Sequence, residues 1–422
     1  MRYLFGNILF DTGTSIDYSI KYAYNFHPTG IISMQVGIIG LGKLGLPVAE
    51  EMSKKYKVYG YDVNKSVSSD TVTILDSIEQ LVNSSDIIFI AVQTPHDPKY
   101  DGSTPSSHLI NKDFDYSYVK SVLNEVNQHV NKTDIVVLIS TVLPGTTRRE
   151  LSNILTNGNL IYNPYLIAMG TVASDMVNPE MIMIGNESGQ ADLSVSTLIE
   201  FYNAIMKNNP RIVTGTWEEM ESTKIFYNTF ISAKLSLVNM IQDVAERIGN
   251  MNVDVVATAL ADSTYRIMGP AYMKPGMGDG GPCHPRDNIA LRWLAEKLEL
   301  GYDLFDAIMR AREVQAENMA HELVKYGLPV HILGKSFKPG VSYTDGSYGM
   351  LVGHYCAQLG ANISYDNIDR ENPSTYLLGH QRDYTTMLNM MAPGSVVIDP
   401  WRTAVASDSV TVIHYGNTRY IQ

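Results

Sequence analysis

One of the only two cysteines in this 422-residue chain, Cys283, sits in the run GDGGPCHPRD, Gly278–Asp287. A proline precedes it, a histidine follows it, and an acid lies four residues further on. Such a thiol has three readings: a nucleophile, a metal ligand, or a small residue packed into a turn. The glycines ahead of it, from Gly276 to Gly281, let backbone approach a ligand closely. A nearby Lys or Arg would lower the thiol pKa and make it a competent nucleophile. A metal site needs three or four converging ligands. Cys283, His284 and Asp287 are close, but no second His/Cys cluster exists, so no metal is expected. His284 alone reads as structural, and Cys356, in an apolar helix, reads as core.

Lys224 and Asn228 stand one helical turn apart, so they share a helix face. An amine and an amide there could together hold a developing oxyanion. On spacing alone, a solvated lysine beside an asparagine facing water is the simpler reading.

A third pattern, Gly40-x-Gly42-x-x-Gly45, follows an apolar run and opens a helix, with Asp62 about 20 residues on. These glycines allow a tight turn and close approach to a pyrophosphate, and the helix N-terminus supplies N–H donors. Asp62 would accept hydrogen bonds from the adenosine ribose. An acid there repels a 2′-phosphate, so NAD is expected rather than NADP.

The elements that must position these residues alternate in type. Gln35–Gly40, Tyr56–Asp62, Asp86–Val92, Asp134–Ser140, Leu160–Tyr162 and Met181–Ile184 read as buried strands, with a helix over Leu44–Lys54. Alternation of this kind predicts a parallel α/β sheet. Lys99–Asn111 reads as a surface loop. Glu218–Ile248 contains no Pro or Gly, and its apolar residues recur at three and four, which predicts one long helix that spans a domain or forms a dimer. From Pro329 the strand–helix rhythm resumes, with VHILG, ISYDN, SVVIDP and VTVIHY as strands and a helix around Tyr348–Leu359. The expected division is an N-terminal extension at 1–33, a Rossmann NAD-binding domain at 34–213, a helical domain at 214–325 and a second, Rossmann-like α/β domain at 326–422. Residues 1–33 carry no secretory pattern; they read as an extension with little catalytic role, or as upstream sequence with Met34 as the natural start.

Composition narrows the partners. The net charge is −12 and no Lys/Arg-rich run exists, which argues against nucleic acid or an anionic membrane. No apolar run approaches the ~18 residues of a membrane span. Two widely separated cysteines form no disulfide framework, and a reducing cytoplasm is expected.

Taken in order, the motifs resemble the UDP-glucose/GDP-mannose dehydrogenases over nearly all of Met34–Gln422. They are GLGKLGLPVA, VQTP (Val92–Pro95), STVLPGTT (Ser140–Thr147), NPYLIAMGTVASDMVNP (Asn163–Pro179), ESTKIFYNTF (Glu221–Phe230), PGMGDGGPCHPRD (Pro275–Asp287) and LGKSFKPG (Leu333–Gly340). The resemblance implies an NAD domain, a helical dimerising centre and a nucleotide-sugar domain. It implies a homodimer or higher homo-oligomer that oxidises the C6 alcohol of a UDP-hexose type of nucleotide sugar to a carboxylate, using two NAD. Asp287, with a water near Thr141 and with Lys224, would take the hydroxyl proton. Cys283 would attack the aldehyde and pass through a thiohemiacetal to a thioester. Lys224 and Asn228 would stabilise the oxyanions. Gly40, Gly42, Leu44, Gly45, Asp62, Val92, Thr94, Pro95 and Thr141 would hold the cofactor. Arg266, Tyr272, Lys274, Gly276, Gly280 and Lys338 would hold the substrate.

The chain also departs from the family pattern. The usual NPEFLxEG carries two glutamates, and here those positions are Tyr165 and Met169. The first is the family's usual base for thioester hydrolysis, and a tyrosine of ordinary pKa is a poor base at neutral pH. The usual phenylalanine and serine of GFGGSC are Asp279 and Pro282, the lysine before the aspartate is Arg286, and a usual arginine of the third domain is Asp345. Two alternatives follow: oxidation that stops early, and a silent protein that binds NAD or nucleotide sugar.

Overall fold

The computed structural model describes residues 34–95, 109–110, 113–167, 170–248, 250–269, 275–277, 285, 288, 292, 295–336, 338–342, 344, 346–405 and 409–417. The chain divides into two compact units, Met1–Thr229 and Phe230–Gln422.

The first unit is built around apolar runs too short for helices, the central ones buried on both faces. Its strands are β1 (Gln35–Ile39), β2 (Lys57–Tyr61), β3 (Thr73–Ile74), β4 (Ile87–Ile90), β5 (Ile135–Leu138), β6 (Asn159–Tyr162), β7 (Met181–Asn186) and β8 (Arg211–Thr216). They form one sheet in the order β3-β2-β1-β4-β5-β6-β7-β8. All of Ile87–Ile90 and all but Ile135 of β5 have no exposed surface, as expected for strands covered by helices on both sides. Strand order reverses between β1 and β4, and ligands of open α/β sheets bind at such a crevice. The sheet is not wholly parallel: β6 meets β7 antiparallel through Tyr162 and Gly185, while β7 and β8 are parallel to each other.

The helices of this unit are α1 (Gly45–Ser53), α2 (Ile78–Asn83), α3 (Ser117–Val126), α4 (Val172–Val177) and α5 (Leu193–Asn203). The long helix α6 runs Trp217–Ile248, 32 residues, or about 48 Å at 1.5 Å per residue. Its start is a capping box. The Thr216 N–H donates to Glu219 Oε2 at 2.8 Å, and the Glu219 N–H donates to Thr216 Oγ1 at 3.3 Å. Glu218 and Glu219 in the first turn and Arg247 in the last complement the helix dipole. The boundary between the two units falls inside this helix.

The second unit continues with α7 (Val253–Ala261) and α8 (Leu304–Val324), and then a five-stranded parallel sheet. Its strands are β9 (Val330–Leu333), β10 (Ile363–Tyr365), β11 (Thr375–Leu378), β12 (Val396–Asp399) and β13 (Thr411–His414), with helix α9 at Tyr348–Gln358. The order β10-β9-β11-β12-β13 places a second switch point between β9 and β11. Strand β11 was not expected from the sequence. Its four residues, TYLL, are all buried. Cys356 is fully buried in α9, and burial pushes its thiol up to about 11, so it is core as expected.

Candidate active site

Two of the three fingerprint glycines are required by their own surroundings. Gly40 has φ of +96°, and a Cβ there would lie 2.9 Å from the backbone of Ala91 and Val92 at the end of β4. A Cβ on Gly45 would lie 1.9 Å from the Gly40 carbonyl oxygen. Gly42 has nothing within 4 Å of that position. The turn is therefore tight on two sides and open on the third, at the N-terminus of α1, which suits a pyrophosphate. Asp62, just beyond β2, steadies this turn: Oδ2 accepts from the Leu41 N–H at 2.7 Å and Oδ1 from the Asn64 N–H at 2.7 Å. An ionised carboxylate has about four acceptor sites, so room for ribose hydroxyls remains.

The neighbouring strand ends are tied to each other. Ser140 Oγ donates to the Val92 carbonyl at 2.5 Å, and Thr94 Oγ1 donates to the Thr141 carbonyl at 2.8 Å. These paired bonds bring Val92, Thr94, Pro95 and Thr141 to one edge, beside the fingerprint turn. The loop after Thr141 is fixed by a residue to which the sequence reading gave no role. Glu221, fully buried on α6, accepts from the Gly145 N–H at 2.5 Å and the Thr147 N–H at 2.8 Å. Burial pushes its carboxyl pKa up, against the opposing pull of those donors. The signal in the sequence was its place in ESTK, one turn ahead of Lys224 on the inward face.

Lys224 is not the solvated lysine that spacing alone favoured. It is 9% exposed, and its Nζ donates to the main-chain carbonyl of Tyr165 at 2.7 Å. Among the described residues no carboxylate pairs with it, and desolvation lowers its pKa. Asn228, one turn on, is exposed.

Tyr165, in the position of the family's glutamate, turns its hydroxyl inward to Tyr202 at 2.8 Å. Tyr202 donates to Asn163 Oδ1, and Asn163 Nδ2 donates to the Met183 carbonyl at 2.6 Å. Since Tyr202 has one hydrogen to give and gives it to Asn163, Tyr165 is the donor in the first bond. Burial raises the pKa of both phenols. Tyr165 is thus unfit to act as a base.

In the second unit, Arg266 is exposed with its guanidinium over the Tyr265 ring, and Lys338 is exposed in the turn after β9. Gly276 packs under the indole of Trp401. Cys283, Asp287, Tyr272, Lys274 and Gly280 lie outside the described residues, as do residues 1–33, Met169, Asp279, Pro282, His284, Arg286 and Asp345.

Comparison with known proteins decides the family. Residues 61–207 match the NAD binding domain, and residues 218–313 the central domain, of the UDP-glucose/GDP-mannose dehydrogenase family, together more than half of the chain. The chain belongs to this family. Its cofactor is NAD, and it is a nucleotide-sugar dehydrogenase by class. The UDP-glucose 6-dehydrogenase TuaD of Bacillus subtilis is 27% identical over 337 residues, 77% of this chain and 68% of the relative. The UDP-glucose 6-dehydrogenase of Caenorhabditis elegans is 26% identical over 387 residues, 87% of this chain and 78% of the relative. A crystal structure of a ternary complex of GDP-mannose dehydrogenase from Pseudomonas aeruginosa shares the fold, with a TM-score of 0.76 over 90% of this chain and 99% of that one, at 20% identity. The family match begins at Tyr61, so the glycine fingerprint lies upstream of it. Among the described residues no helix is long and apolar enough to cross a membrane, and no group of metal-ligating side chains is found.

Proposed function

We propose that the protein oxidises the C6 alcohol of a nucleotide sugar of the UDP-hexose type to the carboxylate, through a covalent intermediate on Cys283. The observation that carries this reading is Lys224: a buried ammonium group, held by one main-chain carbonyl, with no carboxylate beside it among the described residues. A desolvated cation of this kind is costly to keep unless negative charge develops near it during the reaction.

NAD, when bound, would supply the hydride acceptor for each of the two oxidations. Asp287, with a water near Thr141 and with Lys224, would take the hydroxyl proton as the alcohol becomes an aldehyde. The Cys283 thiolate then adds to the aldehyde carbon, and the oxyanion formed faces Lys224 and Asn228. Loss of the second hydride leaves a thioester, and water cleaves its carbon–sulfur bond to give the carboxylate and the free thiol. The substrate would be held by Arg266, Tyr272, Lys274, Gly276, Gly280 and Lys338. We assign the cofactor to Gly40, Gly42, Leu44, Gly45, Asp62, Val92, Thr94, Pro95 and Thr141.

The domain limits proposed are 34–213, 214–325 and 326–422, after an extension at 1–33, with cytoplasmic localisation. Homodimerisation through the long helix is supported by exposed apolar residues along α6, among them Phe226, Phe230, Ile231 and Leu237.

The Tyr165 geometry favours a second reading, in which thioester hydrolysis is slow and acyl-enzyme accumulates. One experiment separates the two: NADH formed per sugar nucleotide, across UDP- and GDP-hexoses and their N-acetyl forms, with the mass of the protein read in parallel. Two NADH and an unmodified chain support full oxidation. A chain carrying an acyl adduct on Cys283 supports the second reading. No turnover with any of these sugars overturns both. Cys283→Ser should stall after the first oxidation.

A further inference from the structure

The glycine-rich stretch begins at Pro275, and its first three residues are each anchored within the second unit. The Pro275 carbonyl accepts from Arg402 Nη2 at 2.6 Å. Gly276 lies so close to the face of Trp401 that a Cβ would come within 2.2 Å of Cζ3 and 2.5 Å of Cε3. Met277 packs against the core that contains Ile332 and Leu377.

The two residues that grip this segment are themselves held at the strand ends. Trp401 Nε1 donates to the Leu378 carbonyl, at the end of β11, at 2.8 Å. Arg402 Nη1 donates to the Tyr415 carbonyl at 3.0 Å and the Pro400 carbonyl at 2.5 Å. Arg402 adopts φ of +59°, a left-handed conformation that a non-glycine residue keeps only under constraint. Asp399 supplies it. This fully buried carboxylate accepts from the N–H groups of Trp401, Thr403 and Ala404, at 2.9, 2.7 and 2.8 Å, so the chain must double back around it. The indole and the guanidinium are thereby aimed at Gly276 and Pro275.

We propose that Trp401 and Arg402 are positioning residues that fix where the loop bearing Cys283 begins. This rests on the reading of Cys283 as the nucleophile. Cys283 is only six residues beyond Met277, and a misplacement of about 1 Å can cost ~10²-fold in rate. It also gives Gly276 a packing reason to lack a side chain, since the indole fills the space a Cβ would take, and leaves its backbone as the part that would meet the substrate.

Two measurements test the proposal. The first is the rate of alkylation by iodoacetamide. Cys356 is fully buried with its thiol pushed up to about 11, so the native protein reports Cys283. Trp401→Ala and Arg402→Ala should change that rate and lower kcat by about tenfold, with KM for NAD unaltered and Trp401→Phe restoring most of the loss. The second is a double-mutant cycle on kcat. Gly276→Ala should cost about tenfold in the wild-type background and less than about twofold in the Trp401→Ala background, where the methyl has room. Thermal melting checks that each variant is folded. Wild-type kcat and alkylation rate in both clamp variants would overturn the proposal. So would equal damage by Gly276→Ala in both backgrounds, since that assigns the glycine to substrate approach. If wild-type protein alkylated at Cys283 stays fully active, the nucleophile reading falls instead, and the Gly276–Trp401 cycle still decides the clamp.

Discussion

Among the described residues, each unit buries one carboxylate completely and gives it backbone N–H donors, but the two reach over different distances. Asp399 accepts from residues two, four and five positions ahead and shapes a single turn. Glu221 accepts from residues 76 and 74 positions behind it and joins the loop after β5 to the helix that carries Lys224. A local acid sets the conformation of one segment. A distant acid sets the spacing of two elements, so its loss should reach the chemistry as well as the fold. The first unit also buries a cation, Lys224, and the second has no described counterpart among its buried residues.

That last difference predicts the largest effect. Lys224→Met should lower kcat by about 10²–10³-fold, the usual cost of removing one oxyanion donor. The urea midpoint should not fall, because the variant no longer desolvates a charge. A fall in midpoint together with intact turnover would make Lys224 structural. Glu221→Ala comes next. Two buried N–H groups lose an ionisable acceptor, so about 3 kcal/mol of unfolding free energy should be lost in denaturant titration, and kcat/KM should fall with it. Asp399→Asn keeps one acceptor oxygen and should cost about 2 kcal/mol, with KM for NAD unchanged. An equal rise in KM for NAD in both variants would erase the contrast between local and distant acids.

The smallest effect is on pH. Burial raises the Glu221 pKa above its ordinary 4.5. The folded state then binds its proton more tightly than the unfolded state does. The stability gained from this group is fully present below that ordinary value and is lost as pH rises through the raised one. Glu221→Gln cannot titrate. Measured stability of the wild type relative to this variant should therefore decline as pH is raised from 4.5. A flat difference would show that the donors of Gly145 and Thr147 balance burial, and a rise with pH that they outweigh it.

Most of the first sheet was legible because its strands are apolar runs flanked by glycine or acid, with Gly40 after β1, Asp62 after β2, and Asp86 and Asp134 before β4 and β5. β3, β8 and β11 were not: β3 is two exposed residues, RIVTGT has one buried residue in six, and TYLL directly follows the turn-like Asn372-Pro373-Ser374. The antiparallel contact of β6 and β7 has no periodic signature, because both strands are buried and either direction would bury the same residues. Glycine spacing and Asp62 mark the proposed cofactor site, because their chemistry is local in sequence. Glu221, Asp399 and Trp401 were invisible as actors. What each does depends on partners that only folding brings within reach, such as Gly145 for Glu221 and Gly276 for Trp401.

The chain from Tyr165 through Tyr202 to Asn163 has a consequence for engineering. A glutamate placed at 165 would meet a phenol whose hydrogen is already given to Asn163. Its charge would be stranded in a site shaped for an aromatic ring. Recovering the usual family residue is therefore not a single-letter reversal. Position 165 is entrenched by its neighbours, and any return path must first loosen Tyr202.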